Sequence, residues 1–174
     1  YSKFKNNKFI IKMSFDKEVI KRVNSNSKNK KLKNYAKKFF LESYSNKYSY
    51  NYTYFGRPII QYPQDIVTLQ EIIFKTKPDL IIETGIAHGG SLIFSSSMLN
   101  LLNIYEKKKR MVLGIDIDIR EHNKKQILEN PFSTYLEMIQ GSSIDASVVE
   151  RVSNEASKFE RVMIFLDSNH THEH

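Results

Sequence analysis

From Pro63 onward, short apolar runs and helical patterns take turns along the chain. Leu80, Ile81 and Ile82 form an apolar run without alternation, as a parallel strand buried on both faces requires. Similar runs recur at residues 111–115, 135–139 and 162–166. Between them lie helical spacings. Ile66, Leu69, Ile72 and Ile73 share one face of a helix that must stop before Pro78. Leu92, Ile93, Met98, Leu99, Leu101 and Leu102 mark a thickly apolar helix, and residues 120–128 and 147–156 read as two further helices. Strands alternating with helices predict a parallel sheet with right-handed crossovers, so the expected class is α/β, doubly wound and mostly parallel. Ligands of such sheets bind outside the carboxyl ends of the strands. The positions to inspect are therefore residues 83–91, 116–118, 141–145 and 167–174; all four stretches carry acids, and two carry glycine.

The region before Tyr54 has a different character. Through Arg57 the chain has 15 Lys and Arg against 3 acids; after it, 12 against 16. The net charge of +8 thus belongs to a basic leader on a mildly acidic body, which argues against a specific nucleic-acid partner. Residues 24–34, rich in Lys, Asn and Ser, have the composition of a solvated, flexible stretch. Leu32, Tyr35, Phe39 and Phe40 nevertheless fall at helical spacings. Tyr48, Tyr50, Tyr52 and Tyr54 alternate with polar residues, the pattern of an extended segment with one aromatic face. Residues 1–53 are expected to form an N-terminal helical and extended appendage, and residues 54–174 the ligand-binding domain. With no cysteine, there is neither a disulfide framework nor a thiolate metal site nor a Cys nucleophile. No apolar run approaches the roughly 20 residues of a membrane span, and the basic start lacks a signal-peptide core. A cytoplasmic protein is expected.

The loop at residues 83–91, Glu-Thr-Gly-Ile-Ala-His-Gly-Gly-Ser, places glycines where a strand must turn and a helix N-terminus must follow. It is neither the Gly-x-Gly-x-x-Gly of a nicotinamide site nor a P-loop, which would close on Gly-Lys-Ser/Thr. An acid at the strand end followed by Gly-x-x-x-Gly resembles the cofactor loop of S-adenosylmethionine-dependent methyltransferases. Five blocks in order resemble, more narrowly, the cephalosporin hydroxylase and rhamnosyl O-methyltransferase family. They are Tyr54-Phe55-Gly56-Arg57-Pro58, Ile81-Ile82-Glu83-Thr84-Gly85, Gly89-Gly90-Ser91, Gly114-Ile115-Asp116-Ile117-Asp118 and Phe165-Leu166-Asp167-Ser168-Asn169-His170.

The resemblance implies a Rossmann-like domain that takes S-adenosyl-L-methionine and, with it, Mg²⁺. Glu83 would sit beneath the cofactor loop. Gly85, Gly89 and Gly90 would shape that loop, and Ser91 would meet the methionine carboxylate. Asp116, with Asp118 as second choice, would take the ribose hydroxyls; Ser142 and Ser143 would face adenine, with Asp145 behind. Asp167 would be a catalytic residue and magnesium ligand, a hard carboxylate oxygen suited to that ion. The family's other acidic ligands would lie beyond the next helix, and the C-terminal strands of such a sheet are expected to fall outside this sequence. Tyr50, Tyr52, Tyr54 and Arg57 would line the acceptor side. His170 is placed where a general base would reach a hydroxyl. The run His170, His172, Glu173, His174 also admits a zinc site or purely local hydrogen bonding.

The expected activity is O-methyl transfer to a hydroxyl of a sugar, glycolipid or secondary metabolite, hence a place in lipid or polysaccharide biosynthesis. The acceptor is a small molecule or glycan, and self-association into a homo-oligomer is expected. A non-catalytic cofactor-binding or assembly subunit is the alternative. An oxidative hydroxylase is disfavoured, since the sequence shows no His-x-Asp/Glu pattern of a non-haem iron triad.

Overall fold

The computed structural model describes residues 14–169. Contacts divide the chain into two compact units, one ending at Asn46 and the other beginning at Lys47. The first contains helices α1 (Phe15–Lys28) and α2 (Lys30–Ser45). Residues 24–34 are therefore helical on both sides of a single break, not a flexible stretch. Asn29 makes that break, and its side chain accepts the Leu32 amide to start α2. Lys and Asn tolerate a solvated helix; low hydrophobicity by itself does not melt one.

The second unit opens with a 3₁₀ turn at Tyr48–Asn51 and a small hairpin of β1 (Thr53–Tyr54) and β2 (Arg57–Pro58). The tyrosine alternation is thus not one extended strand. The 3₁₀ turn brings Tyr48 against Tyr52, ring centroids 5.3 Å apart, where alternation would have set them on a shared face at strand spacing. Helix α3 (Pro63–Thr76) starts with Pro at its first turn and ends just ahead of Pro78, as a fixed φ and a missing donor dictate. Ile73 is fully buried and Ile66 and Leu69 pack on the core, but Ile72 faces outward.

The main sheet holds β3 (Leu80–Thr84), β4 (Met111–Asp116), β5 (Leu136–Gln140) and β6 (Val162–Leu166), all parallel, in spatial order β5-β4-β3-β6. They are linked by α4 (Gly90–Tyr105), α5 (Glu121–Leu128) and α6 (Ala146–Ala156). Residues Ile81, Val112 and Leu136 on one sheet face join α3, α4 and α5 in one apolar cluster. Leu80, Ile82, Leu113 and Ile139 on the other face pack with Val148 and Val152 of α6. Helices on both faces make the sheet doubly wound. The order in which strands are added reverses at β3, with β4 and β5 on one side and β6 on the other, the kind of switch point where such folds bind ligands. Every residue of β3 is buried, as expected. In β6, by contrast, Val162, Ile164 and Leu166 are exposed, because it is the edge strand of the described sheet and one of its faces carries no described helix.

Candidate functional site

Four strand ends converge on one edge, tied by backbone bonds. Gly85 N–H donates to Ile115 O at 2.8 Å, Gly141 N–H to Asp116 O at 2.8 Å, and Asp167 N–H to Thr84 O at 3.1 Å. Above them opens a cavity of ≈ 390 Å³ whose wall includes Gly85, Asp116, Ser142, Ser143 and Asp167. One residue or more from each strand end is thus present, and all five are positions singled out from sequence.

Asp116 has two tasks within the protein. Its Oδ2 accepts the Ile86 and Ala87 amides at 2.7 and 3.3 Å, and its Oδ1 accepts the Asp118 amide at 3.1 Å. The carboxylate therefore fixes the glycine loop while lining the cavity. Asp118 points elsewhere: its side chain is exposed and lies 3.6 Å from Arg120. Asp145 is the N-cap of α6, accepting the Ser147 amide at 2.8 Å and the Ser147 hydroxyl at 2.5 Å. Those bonds hold its carboxyl below the usual range.

Glu83 ends β3 under the loop and is 3% exposed. Burial pushes its carboxyl up to about 8; the Ser91 hydroxyl bond opposes this and the nearby Asp167 charge adds to it. Ser91 Oγ donates to Glu83 Oε1, while Glu83 Oε2 is buried without a hydrogen-bond partner. Gly85, at φ +93°, accommodates a conformation that L side chains resist, and a Cβ there would stand 2.1 Å from the Asp167 carbonyl oxygen. Its role in the fold is the close approach of the chain after β3 to the chain after β6. At Gly90 a Cβ would meet the Pro58 carbonyl oxygen at 2.2 Å, so the helix start sits directly on the end of β2. Gly89 stands behind the cavity wall, against the Ile127 side chain.

The loop and the first turn of α4 also form the floor of a second cavity, ≈ 350 Å³, with Tyr50, Gln61, Ser91 and Asp167 around it. A third, ≈ 270 Å³, lies between Gln61, Glu83, Ser91, Phe94 and Asp167. Asp167 is exposed and borders all three.

Two expected acceptor-side residues are elsewhere engaged. Arg57 is buried, its Nε and Nη2 donating to the His88 carbonyl at 2.9 and 2.6 Å, Nη2 also to Asn123 Oδ1 at 2.9 Å, and Nη1 to Gln126. It pins the glycine loop to α5 from behind. Tyr54 shares a hydrogen bond with Ser97 at 2.9 Å and packs edge-on against Phe94. Both are turned inward because the hairpin lies on α4. Tyr52 packs on the core with Tyr48 beside it, whereas Tyr50 does line a cavity. Gln61, not anticipated, borders two of the three cavities. The only sequence signal for it was a lone polar residue between apolar Ile60 and Tyr62 ahead of a helix. His170, His172, Glu173 and His174 lie outside the described residues. Among the described residues no three His, Cys, Asp or Glu side chains gather as a metal site, and no helix is long and apolar enough to cross a membrane.

Comparison with known proteins adds an independent line. The family model of rhamnosyl O-methyltransferase/CmcI matches residues 46–174. Among curated proteins, none matches. Of solved structures, an apo form of CmcI superposes with a TM-score of 0.52 at 20% identity, covering 71% of this chain and 48% of that one. A CmcI structure described as Mg-SAM gives 0.52 at 19% identity, with the same coverage of 71% and 48%. The chain thus spans about half the length of these structures, and at such identity the likeness speaks to the fold.

Proposed function

This chain belongs to the rhamnosyl O-methyltransferase/CmcI family, and from that premise we propose that it binds S-adenosyl-L-methionine and serves methyl transfer to an oxygen of an acceptor. The observation that carries this reading is the convergence of four strand ends on one cavity beside a glycine loop and a helix start. The CmcI structure described as Mg-SAM supports the choice of cofactor.

Adenosine would occupy the ≈ 390 Å³ cavity, with ribose at Asp116 and adenine near Ser142 and Ser143. The methionine end would lie over the loop of residues 85–91, its carboxylate at the first turn of α4, where free amides and the helix dipole favour an anion. The reaction would be in-line attack by an acceptor hydroxyl on the sulfonium methyl. Holding the two in line supplies much of the rate, since it removes entropy before the chemical step. The acceptor would approach from the side of Tyr50 and Asp167, and His170 is the proposed general base. A sugar, glycolipid or secondary-metabolite hydroxyl is the proposed acceptor class.

Asp167 offers a hard oxygen for Mg²⁺, an ion that keeps several waters and would lower the acceptor hydroxyl's pKa. The described residues supply this one carboxylate and no cluster of metal-ligating side chains. The test is calorimetric titration with S-adenosylmethionine and with NAD(H). Binding of the first and not the second is expected; heat from NAD(H) alone would end this reading. In the protein as it occurs, Asp167→Asn should keep cofactor affinity within a few-fold and lose both turnover and its response to Mg²⁺, an amide being the weaker ligand. Full turnover with no magnesium dependence would leave Asp167 a loop-structuring residue.

A further inference from the structure

A fourth cavity, ≈ 400 Å³, is lined by the 3₁₀ turn, the chain before α3 and the first turns of that helix. Ser49, Gln61, Asp65 and Thr68 supply its polar wall, and Ile60 and Leu69 an apolar one. The volume falls within the roughly 300–1,000 Å³ of small-molecule sites. Gln61 and Asp167 border this space and also the ≈ 350 Å³ cavity over the glycine loop. The fourth cavity therefore adjoins the place given above to the cofactor's methionine end.

What this wall can take follows from what its groups already hold. Among the described residues the Asp65 carboxylate makes no hydrogen bond or ion pair, and Gln61 Oε1 is buried without a donor. Thr68 Oγ1 donates to the Gln64 carbonyl at 2.8 Å, which leaves its lone pairs. The Ser49 hydroxyl is uncommitted and can donate or accept. An acid in the first turn of a helix suits the macrodipole; that accounts for a charge at position 65 and leaves both carboxylate oxygens open. No Lys, Arg or His stands among the described residues of the wall. An anionic acceptor would thus set oxygen against oxygen and charge against like charge, with no cation to offset it. A neutral ring with several hydroxyls does the reverse. Its O–H groups donate to Asp65 and Gln61, an oxygen accepts from Ser49, and its C–H face covers Ile60 and Leu69. An ammonium also suits a carboxylate, but Asp65 is exposed, where an ion pair contributes little. Two adjacent hydroxyls instead use both of its oxygens.

We propose that this cavity is the acceptor subsite, that it takes a neutral sugar ring in preference to an acidic acceptor, and that Asp65 makes the selection. The inference rests on the methyl-transfer reading above and narrows its acceptor class by charge. One hydroxyl oxygen of the ring gains the methyl and gives its proton to the base. S-adenosylhomocysteine leaves with the electron pair of the broken sulfur–carbon bond.

The experiment is a titration of the full-length protein, saturated with S-adenosylhomocysteine, followed by saturation-transfer NMR. The probes are the methyl glycosides of glucose, galactose, mannose and rhamnose, the methyl uronides of glucose and galactose, and methyl glucosaminide. At least one neutral glycoside is expected to bind, about ten-fold more tightly than either uronide. Asp65→Asn keeps the shape and removes the charge; it should weaken that glycoside about five-fold, the step from a charged to a neutral acceptor. Asp65→Lys should reverse the order, so that a uronide binds better than the neutral ring. Both variants should keep the parent affinity for S-adenosylhomocysteine, which shows that they are folded. A uronide bound as well as the neutral glycosides, tightest binding of the glucosaminide, no neutral glycoside bound, or an order unmoved by either substitution would overturn the assignment. Each of those results spares the cofactor reading, which fails only if S-adenosylhomocysteine itself does not bind.

Discussion

The two ends of the sheet are built on opposite principles. At the amino ends of β3, β4 and β6 stand Asp79, Arg110 and Arg161, each directly before its strand. Asp79 accepts Lys108 Nζ at 2.8 Å and Arg161 Nη2 at 3.4 Å, and Arg110 Nη2 meets Glu106 Oε2 at 2.7 Å. Lys77 adds a bond to Glu106 at 2.7 Å. Each buried charge there has an opposite charge within reach. Burial alone would raise the Asp79 carboxyl, but the bonds and charges of Lys108 and Arg161 outweigh it and hold the group below its usual range. At the carboxyl ends the reverse holds: Glu83 is driven up by burial, and two oxygens lack donors. One pole pairs its charges within the protein, although Arg110 Nε and Arg161 Nε stay buried without acceptors, whereas the other leaves a carboxyl and an amide oxygen without donors. The difference teaches that one sheet can pair its charges at one end and leave oxygens open at the other, since β3, β4 and β6 each have a polar residue at both ends.

The sharpest way to break the comparison is at the open pole. Gly85→Ala would drive a Cβ to 2.1 Å from the Asp167 carbonyl oxygen at a φ of +93°. A loss of about 4 kcal/mol in unfolding free energy is expected, adding backbone strain to overpacking. A melt indistinguishable from the parent would mean that β3 and β6 do not need this approach.

Next in size are two opposite pH dependences. Glu83 has a folded value raised to about 8 from an ordinary 4.5. Its contribution is complete below the unfolded value and is lost as pH rises through about 8. In the ligand-free protein, stability should therefore fall between these limits by about 3 kcal/mol, below the full linkage arithmetic of 1.36 per unit. Glu83→Gln should flatten that decline in denaturant titrations across the range; an unchanged slope would show the carboxyl to be solvated. Asp79, held low, contributes above its unfolded value and loses that contribution as pH falls. Asp79→Ala should cost about 2 kcal/mol at neutral pH, less than a fully buried pair because Lys108 and Arg161 remain partly solvated. Cofactor affinity should not move; a matching loss of binding would mean that the two poles are coupled.

The smallest expected effect is on binding alone. Asp116→Ala should weaken S-adenosylmethionine by about 1 to 2 kcal/mol through loss of a charged acceptor, with the fold retained. An unchanged dissociation constant would confine Asp116 to holding the Ile86 and Ala87 amides.

Much of this fold was written locally. The order of strands and helices, the glycine loop and the acids at the strand ends follow from the spacing of apolar residues and from glycine's freedom, which act over a few residues at a time. That is why Glu83, Gly85, Asp116, Ser142, Ser143 and Asp167 were legible before any contact was known. The sequence could not show that Arg57 turns inward to the His88 carbonyl, that Tyr54 seats on Phe94 and Ser97, or that β6 leaves Leu166 exposed. Nor could it bring Gln61 beside Glu83. Those facts depend on which strand lies next to which and on where the hairpin rests, contacts between residues far apart in the chain. Periodicity determined the elements and the edge where the acids and glycines gather; only close packing decided which polar groups find partners within the protein and which stay unpaired.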